Sequence, residues 1–356
     1  MKTIFIWWPD CTLSGDMAEE FEPIVGTHEH EYAADATAKP AYRAESEFRT
    51  TPPVLPPSAP VRSVKRTNLL LWGALGVLSL IVLYFLFLIP SHLYPIQVGG
   101  KYGFIKQDGT VVITPQFNGV SEFSQGLAPV LNGNTWGYVD RGGKLIIPSQ
   151  FDVADPFTDD GLALVAAAGK LGYIGKDGRY SINPQYEAAG QFGSGKAPVL
   201  VSGKWGYIDT KGSMVIPPQF DEASAFSDGL AVVRIGNSHG YIGKSGKIEI
   251  NPQFSVAGDF HDGRAVVKQG DRFGYIDKDG KMIIPAQFEA AGDFDDGLGL
   301  IAIGGRFGYI DKSGKIQINP QFEKANSFHN GLAAVWIGQR QGYINRKGEF
   351  VWNPQA

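Results

Sequence analysis

Cysteine is almost absent. Cys11 is the single one in 356 residues, so neither an intramolecular disulfide framework nor a cysteine-cluster zinc site can be built. Basic charge is not in excess: 32 Lys and Arg stand against 36 Asp and Glu, a formal net charge of −4. A dedicated nucleic-acid binder usually carries a strongly basic domain. Beyond residue 90 no segment holds a helical period for ten residues, which excludes a helical bundle there. What is abundant is turn-forming residues. With 46 Gly and 22 Pro, the chain exceeds average usage of about 12% for the two together, and many turns between short strands follow. Hydrophobic residues at 43% and charged ones at 19% exclude wholesale disorder. At roughly 150 residues per domain the length predicts about two domains.

Charge is missing altogether from Leu69 to Ile89, the 21-residue run LLLWGALGVLSLIVLYFLFLI that precedes Pro90. As a helix it would span about 31 Å, the thickness of a bilayer core, and a buried soluble helix rarely lacks a polar face over so many turns. Arg62, Lys65 and Arg66 flank it on the N-terminal side, and no basic residue follows before Lys101. The positive-inside rule then keeps the N-terminus in the cytoplasm and exports the C-terminal bulk. Cys11 falls on the reducing side, in agreement. The run begins too deep and is too long for a cleaved signal, and Ile4 to Trp8 is too short for a signal core. Asp10 before Cys11 does not fit a lipoprotein motif. The expectation is a signal-anchor helix over 68–90 that holds residues 69–89 in the lipid bilayer of the cytoplasmic (inner) membrane. No small-xxx-small pair argues for helix dimerisation.

Residues 1–67 read as a largely disordered cytoplasmic tail. Before residue 60 ten acids face four bases, with few periodic apolar positions. Pro52 to Pro60, PPVLPPSAP, favours an extended spacer over a PxxP ligand. Ile4 to Trp8 could dock a cytoplasmic partner. His28-Glu29-His30 offers only two histidines on a flexible segment, poor grounds for a metal.

From residue 91 to 356 a fixed period dominates. Gly103, Gly137, Gly172, Gly206, Gly240, Gly274, Gly308 and Gly342 are spaced by 34 residues, once by 35. The extra residue lies at Asp159-Asp160-Gly161, as expected of a turn that tolerates insertion. A glycine six residues on and a glutamine thirteen on (Gln116 through Gln355) recur in all eight copies. A second phenylalanine, Phe123 through Phe328, recurs in seven. In one copy, Gly206 to Asp209 forms a strand, Lys211-Gly212 a turn, Met214 to Ile216 a returning strand ended by proline, and Leu230 to Val233 a third strand entered through Asp228-Gly229. Strands at such spacing, bounded by turn signals, predict an all-β tandem repeat of seven to eight three-stranded meanders.

Trp205-Gly-Tyr-Ile-Asp209, Ile216-Pro-Pro-Gln-Phe220 and Phe226-Ser-Asp-Gly-Leu-Ala231 resemble the WG-repeat family, found mainly in bacteria. The resemblance covers essentially all of the chain after the anchor. It implies an interaction module and little about activity. Tryptophan itself stands only at Trp136 and Trp205, with Tyr102, Leu171, His239, Phe273, Phe307 and Gln341 in its place elsewhere. A packing role that tolerates substitution fits this better than a universal ligand contact.

Neighbouring copies alternate between Ile-Asn-Pro, as at Ile182, Ile250 and Ile318, and aliphatic-Ile-Pro, as at Ile147, Ile216 and Ile284. Pairwise duplication explains this better than unequal surroundings. The domain opens on Ile96-Gln97-Val98, resembling a lone third strand, and closes after two strands of the eighth copy. Together these would complete one unit of a closed propeller-like ring. Three strands are few for a propeller blade, however, and an open or spiral solenoid-like array needs only neighbour contacts. The open array is the expectation and the closed ring its alternative.

Candidate chemistry is sparse. The exported part carries 25 bases and 26 acids, so nucleic acid is not a partner. His239, His261 and His329 accompany no nucleophile signature. Asp277-Lys278-Asp279-Gly280 hints at calcium but lacks the further oxygen ligands of a binding loop. Asp140, Asp209, Asp277 and Asp311 recur as turn formers. The recurring glutamine is expected to satisfy local backbone groups beside the proline, with a ladder of ligand sites as the alternative. No catalytic, cofactor-binding or metal residue is expected. The sequence describes a single-pass protein presenting a β-repeat scaffold to a protein or glycan partner in the cell envelope. The alternative is an envelope sensor or adaptor that signals through the tail.

Overall fold

The computed structural model describes residues 92–354, and every regular element there is a β-strand. The expected tail and the expected span over 69–89 lie outside the described residues. Among the described residues no helix is long and apolar enough to cross a membrane.

The chain folds strand by strand into neighbouring antiparallel sheets. β1 (Leu93–Val98), β2 (Lys101–Lys106) and β3 (Val111–Phe117) form the first sheet. β4 (Gly119–Val120), β5 (Leu127–Asn132), β6 (Thr135–Asp140) and β7 (Leu145–Phe151) form the second. Six more sheets repeat the second, and in the fourth the innermost strand shrinks to the bridge between Ala189 and Val199. The expected three-stranded unit is therefore corrected to four strands in six of the eight sheets, the first and the fourth having three. The missed strand has two residues in five sheets, too few for an alternating pattern to register, and lengthens to six only in the seventh, Ala290–Asp295.

Sheets and sequence copies are out of step. Each sheet joins the third strand of one copy, such as β5, to the first two of the next, such as β6 and β7. The leading strand β1 accordingly pairs with β2 through the Gly99-Gly100 turn, and Phe350–Trp352 pairs with Arg340–Asn345. The leading and trailing strands do not complete one shared sheet, as the sequence suggested. They belong to the first and the eighth.

The expected open array is also corrected. The eight sheets close into an eight-bladed β-propeller, the stated alternative. Tyr94, Ile96 and Ile105 of the first sheet share one core with Leu332, Ala334 and Tyr343 of the eighth. Tyr94 and Tyr343 meet edge to face at 5.8 Å, and the Tyr343 hydroxyl donates to Pro95 O at 2.6 Å. In an open array these apolar faces would both meet water, so burying them against one another drives closure.

Six inter-sheet cores are built alike. Tyr138, Tyr173, Tyr207, Tyr241, Tyr275 and Tyr309 are wholly buried, each against the recurring phenylalanine of the next sheet at 4.7–5.1 Å. Burying a phenol requires a partner for its hydroxyl. Each donates to a backbone carbonyl 17 residues on, as Tyr207 does to Ser224 O at 2.9 Å and Tyr173 to Gly190 O at 2.7 Å.

Two glycine positions are fixed by this packing. A Cβ on Gly206 would lie 2.6 Å from Ile216 O and 2.7 Å from Pro218 N, because a bulge brings the outer strand's backbone onto it. Gly246 takes φ +82°, and a Cβ there would meet Ile216 of the preceding sheet at 3.0 Å. Gly109 bears on Val351 O in the same way, across the closure.

The outer strands carry a proline and a bulge, devices that blunt an exposed edge. The tryptophan slot sits in cross-strand register with their terminal aromatic, as Trp205 does with Phe220. Most of its occupants are half-buried, a position where substitution is tolerated. Both kinds of alternating copy place the variable residue on this outer strand, where Ser181, Glu249, Ile146 and Val215 are all exposed.

Candidate binding face around the ring axis

Between its innermost and second strand, each sheet from the second to the eighth runs through a short segment that ends in a two-residue turn. The first turn residue takes positive φ in six of them, Gln125, Ser194, Asp228, Asp262, Asp296 and Asn330, and a positive-φ glycine follows in all seven. Aspartate and asparagine tolerate that conformation better than most residues. The seven segments carry ten carboxylates, from Glu122 round to Asp296, and one base, Arg264.

The same turns bond from sheet to sheet. Asp160 accepts from Gly195 N at 3.1 Å, Asp228 from Gly263 N at 2.8 Å and Asp262 from Gly297 N at 2.9 Å, and Asp296 accepts from Gly331 N. In an up-and-down meander alternate turns share a face, so the hairpins leading to the outer strands lie on this face too. They supply the bases. Lys278 Nζ donates to Asp228 O at 2.6 Å, and Lys312 Nζ lies 3.4 Å from Asp262 Oδ2. An inner acidic ring is thus bordered by an outer basic one.

Deeper in the wall, carboxylates meet hydroxyls, amides and imidazoles of adjacent sheets. Gln191 Nε2 donates to Asp155 Oδ2 at 3.1 Å and Ser224 Oγ to Asp259 Oδ1 at 2.6 Å. His261 Nε2 lies 3.8 Å from Asp293 Oδ2. Burial holds Asp155 and Asp259 above the usual carboxylate range. Burial also raises Asp293, aided by the carboxylates of Asp259 and Asp295 and opposed by His261. The Asp293 side chain is still 36% exposed. It borders solvent while protein surrounds most of it, so the stability cost of its shift is small.

His329 bridges widely separated parts of the ring. Its Nδ1 is 2.9 Å from Asp295 Oδ2 in the seventh sheet and its Nε2 is 3.6 Å from Glu122 Oε2 in the second. The Asp295 hydrogen bond raises its pKa, burial works against this, and the Glu122, Asp295 and Asp296 charges add to the rise. Burial alone would raise Asp295; the His329 hydrogen bond and charge outweigh it and leave that carboxyl lowered. His92 is lowered by burial and by the nearby His329 and Arg141 charges, against Asp296.

The sequence placed His261 and His329 in turns at one repeat position, and the structure brings both to this inner wall against carboxylates. His239 lies elsewhere, 3.6 Å from Glu222. The recurring turn acids do what was expected. Asp209 Oδ1 accepts from Lys211 N and Ser213 N, and Asp277 Oδ1 from Asp279 N and Lys281 N. The calcium-like stretch is therefore a hairpin turn whose first carboxylate is engaged with its own backbone. The glutamine expectation is corrected. All seven described copies are exposed on the outer strand, in water, where the amide has no need of a backbone partner. Sequence reasoning missed the inner acids Asp155, Asp259 and Asp293 because they do not recur at one position in every copy.

The family profile described as "WG containing repeat" matches seven times, at residues 102–136, 136–170, 172–205, 205–238, 240–272, 273–306 and 307–338. No curated protein matches the sequence. Among solved structures, the dihydro-heme d1 dehydrogenase NirN is similar at TM-score 0.50 and 13% identity, over 74% of each chain. The C-terminal WD40 domain of Sif2 is similar at TM-score 0.47 and 10% identity, over 71% of this chain and 91% of that one. At such identities the likeness concerns the fold alone.

Proposed function

The chain belongs to the WG containing repeat family, and from that premise we propose that it is a non-catalytic interaction scaffold held at the cell envelope. Residues 69–89 anchor it in the membrane, the N-terminus faces the cytoplasm, and the propeller is exported. The partner is a protein that meets the acidic inner face with a basic segment; a glycan is the less favoured occupant. The observation that carries this reading is the gathering of ten carboxylates against a single arginine, Arg264, on the segments around the ring axis. Fields of one sign concentrated at a concave mouth attract and orient a partner of the other sign. NirN's dehydrogenase title does not transfer, because that likeness supports fold only.

Binding is tested by retention of the full-length protein in detergent on an immobilised hexalysine peptide. Salt-sensitive retention that disappears in Asp259→Asn/Asp293→Asn supports the reading, and equal retention of that variant sinks it. Topology is tested by impermeant thiol labelling of cysteines placed at residues 5 and 200 in intact cells, with Cys11 removed. Labelling at 5 alone would reverse the orientation. The sensor or adaptor alternative rests on the acidic tail, and an unchanged phenotype on deleting residues 1–60 would remove it.

A further inference from the structure

Nine of the ten carboxylates on the axial face fall into two arcs that differ in one respect. The segments of the second and third sheets carry Glu122, Asp155, Asp159 and Asp160 and no histidine, a formal charge of −4. Those of the sixth, seventh and eighth carry Asp259, Asp262, Asp293, Asp295, Asp296 and Arg264, also −4, and hold His261 and His329 as well.

The two histidines stand at a position that other sheets give to groups that do not titrate. Ser124, Gly193 and Ser227 close their inner turns by pairing with the residue three further on, and His261 and His329 pair in the same way with Arg264 and Leu332. Asp295 takes this place in the seventh sheet, opposite Leu298. Three successive sheets thus present imidazole, carboxylate and imidazole on one shoulder of the mouth. In an ordinary sheet the shoulder residue bonds to backbone, as the Ser227 hydroxyl does to Phe260 O at 2.6 Å. Here the side chains engage one another. Asp293 faces Asp259 and His261 of the sixth sheet and Asp295 of its own strand, and the Ser327 hydroxyl of the eighth donates to its backbone oxygen at 3.0 Å. His261 faces Asp259, Asp293 and Asp295. His329 faces Asp295 and Asp296 of the seventh sheet, Glu122 of the second and His92 just before β1.

We propose that the arc on the sixth to eighth sheets is a proton-operated release for the basic partner. Between about pH 8 and pH 5 it takes up protons on His261, His329 and Asp293 and lets go of a cationic segment that it holds when they are unprotonated. Imidazoles change charge in that window. Burial raises Asp293 toward it, with Asp259 and Asp295 adding to the rise and His261 opposing it. Protonation of all three takes this arc from −4 to −1. Each step removes negative charge or adds positive charge, so all of them act toward release of a cation. The arc on the second and third sheets has no imidazole with which to follow. The proposal rests on the acidic-face reading and adds the regulation of that face.

The probe is the immobilised hexalysine peptide, whose ammonium groups stay charged throughout this range. The readout is retention of the full-length protein in detergent at constant ionic strength. Wild-type retention is expected to fall about tenfold between pH 8 and pH 5. His261→Gln/Asp293→Asn leaves the His329 contacts in place. It is expected to be retained about threefold more weakly than wild type at pH 8, and more strongly than wild type at pH 5. The two curves then cross, which loss of folding cannot produce. If the double substitution unfolds the protein, His261→Gln alone decides: it should match wild type at pH 8 and exceed it at pH 5. Asp159→Asn/Asp160→Asn, on the other arc, should lower retention at both values and keep the fall. Wild-type retention that does not fall, or that falls in parallel with the His261 variants, overturns the proposal and leaves the acidic-face reading standing. Absence of retention at both values removes the two together.

Discussion

Seven interfaces of the ring are made by the repeat, and the eighth is made by exception. In the ordinary interfaces a buried tyrosine or phenylalanine of one sheet stacks on the recurring phenylalanine of the next, and the glycine turn of the later sheet rests on the isoleucine of the earlier. At the seam a tyrosine stands at an alanine position, the Tyr343 hydroxyl turns to Pro95 O, and His329 reaches past the first sheet to Glu122. The repeat supplies contacts only to a copy that follows in sequence. The junction of the last sheet with the first has no such copy, and its closure had to come from substitutions at single positions.

The largest expected effect lies in an ordinary interface. Phe226→Ala removes the ring stacked on Tyr207 and should cost about 4 kcal/mol, as large core truncations do. Tyr94→Ala at the seam should cost about 3 kcal/mol, with one difference. Its hydrogen-exchange protection should fall chiefly in the first and eighth sheets, whereas the Phe226 variant loosens the fourth and fifth. Equal loss all round the ring in both variants would erase the distinction between seam and repeat.

Next come the glycines. Gly206→Ala forces a Cβ against Ile216 O and should cost about 3 kcal/mol through overpacking. Gly203→Ala, at φ +80° with open space around it, should cost about 1 kcal/mol from backbone strain alone. Chemical denaturation that ranks them the other way would contradict the bulge contact. Tyr207→Phe, which leaves Ser224 O without its donor, should cost about 1 kcal/mol.

The smallest effect is the most specific to the seam. His329 has a raised pKa in the folded protein. Its contribution to stability is complete below the unfolded value of about 6.5 and is lost as pH rises through the folded value. The melting temperature should therefore decline over that window. His329→Gln should flatten the decline.

Much of the ring was legible in the sequence, for a physical reason. Turn glycines, alternating strands and recurring aromatics are local requirements, and repetition eight times makes each one visible. Closure was not legible, because it depends on the sum of small rotations between sheets, to which no single residue answers. Tyr94 carried a signal all the same: it stands at a repeat position that holds alanine in six other sheets and glycine, Gly299, in the seventh. The innermost strands went unread because two residues are too few to carry a period. The inner acids were hidden because Asp155, Asp259 and Asp293 come together only when separate copies are brought round one axis.

Closure itself is tested most directly by a disulfide across the seam. Gln107 of the first sheet lies against Gly331 of the eighth, more than two hundred residues along the chain. In Gln107→Cys/Asn330→Cys/Cys11→Ser, mild oxidation of dilute full-length protein should give an intramolecular cross-link that shifts its mobility on a non-reducing gel. Monomers that keep both thiols free, under conditions where the protein remains folded, would mean that the array is open and would contradict the closed ring.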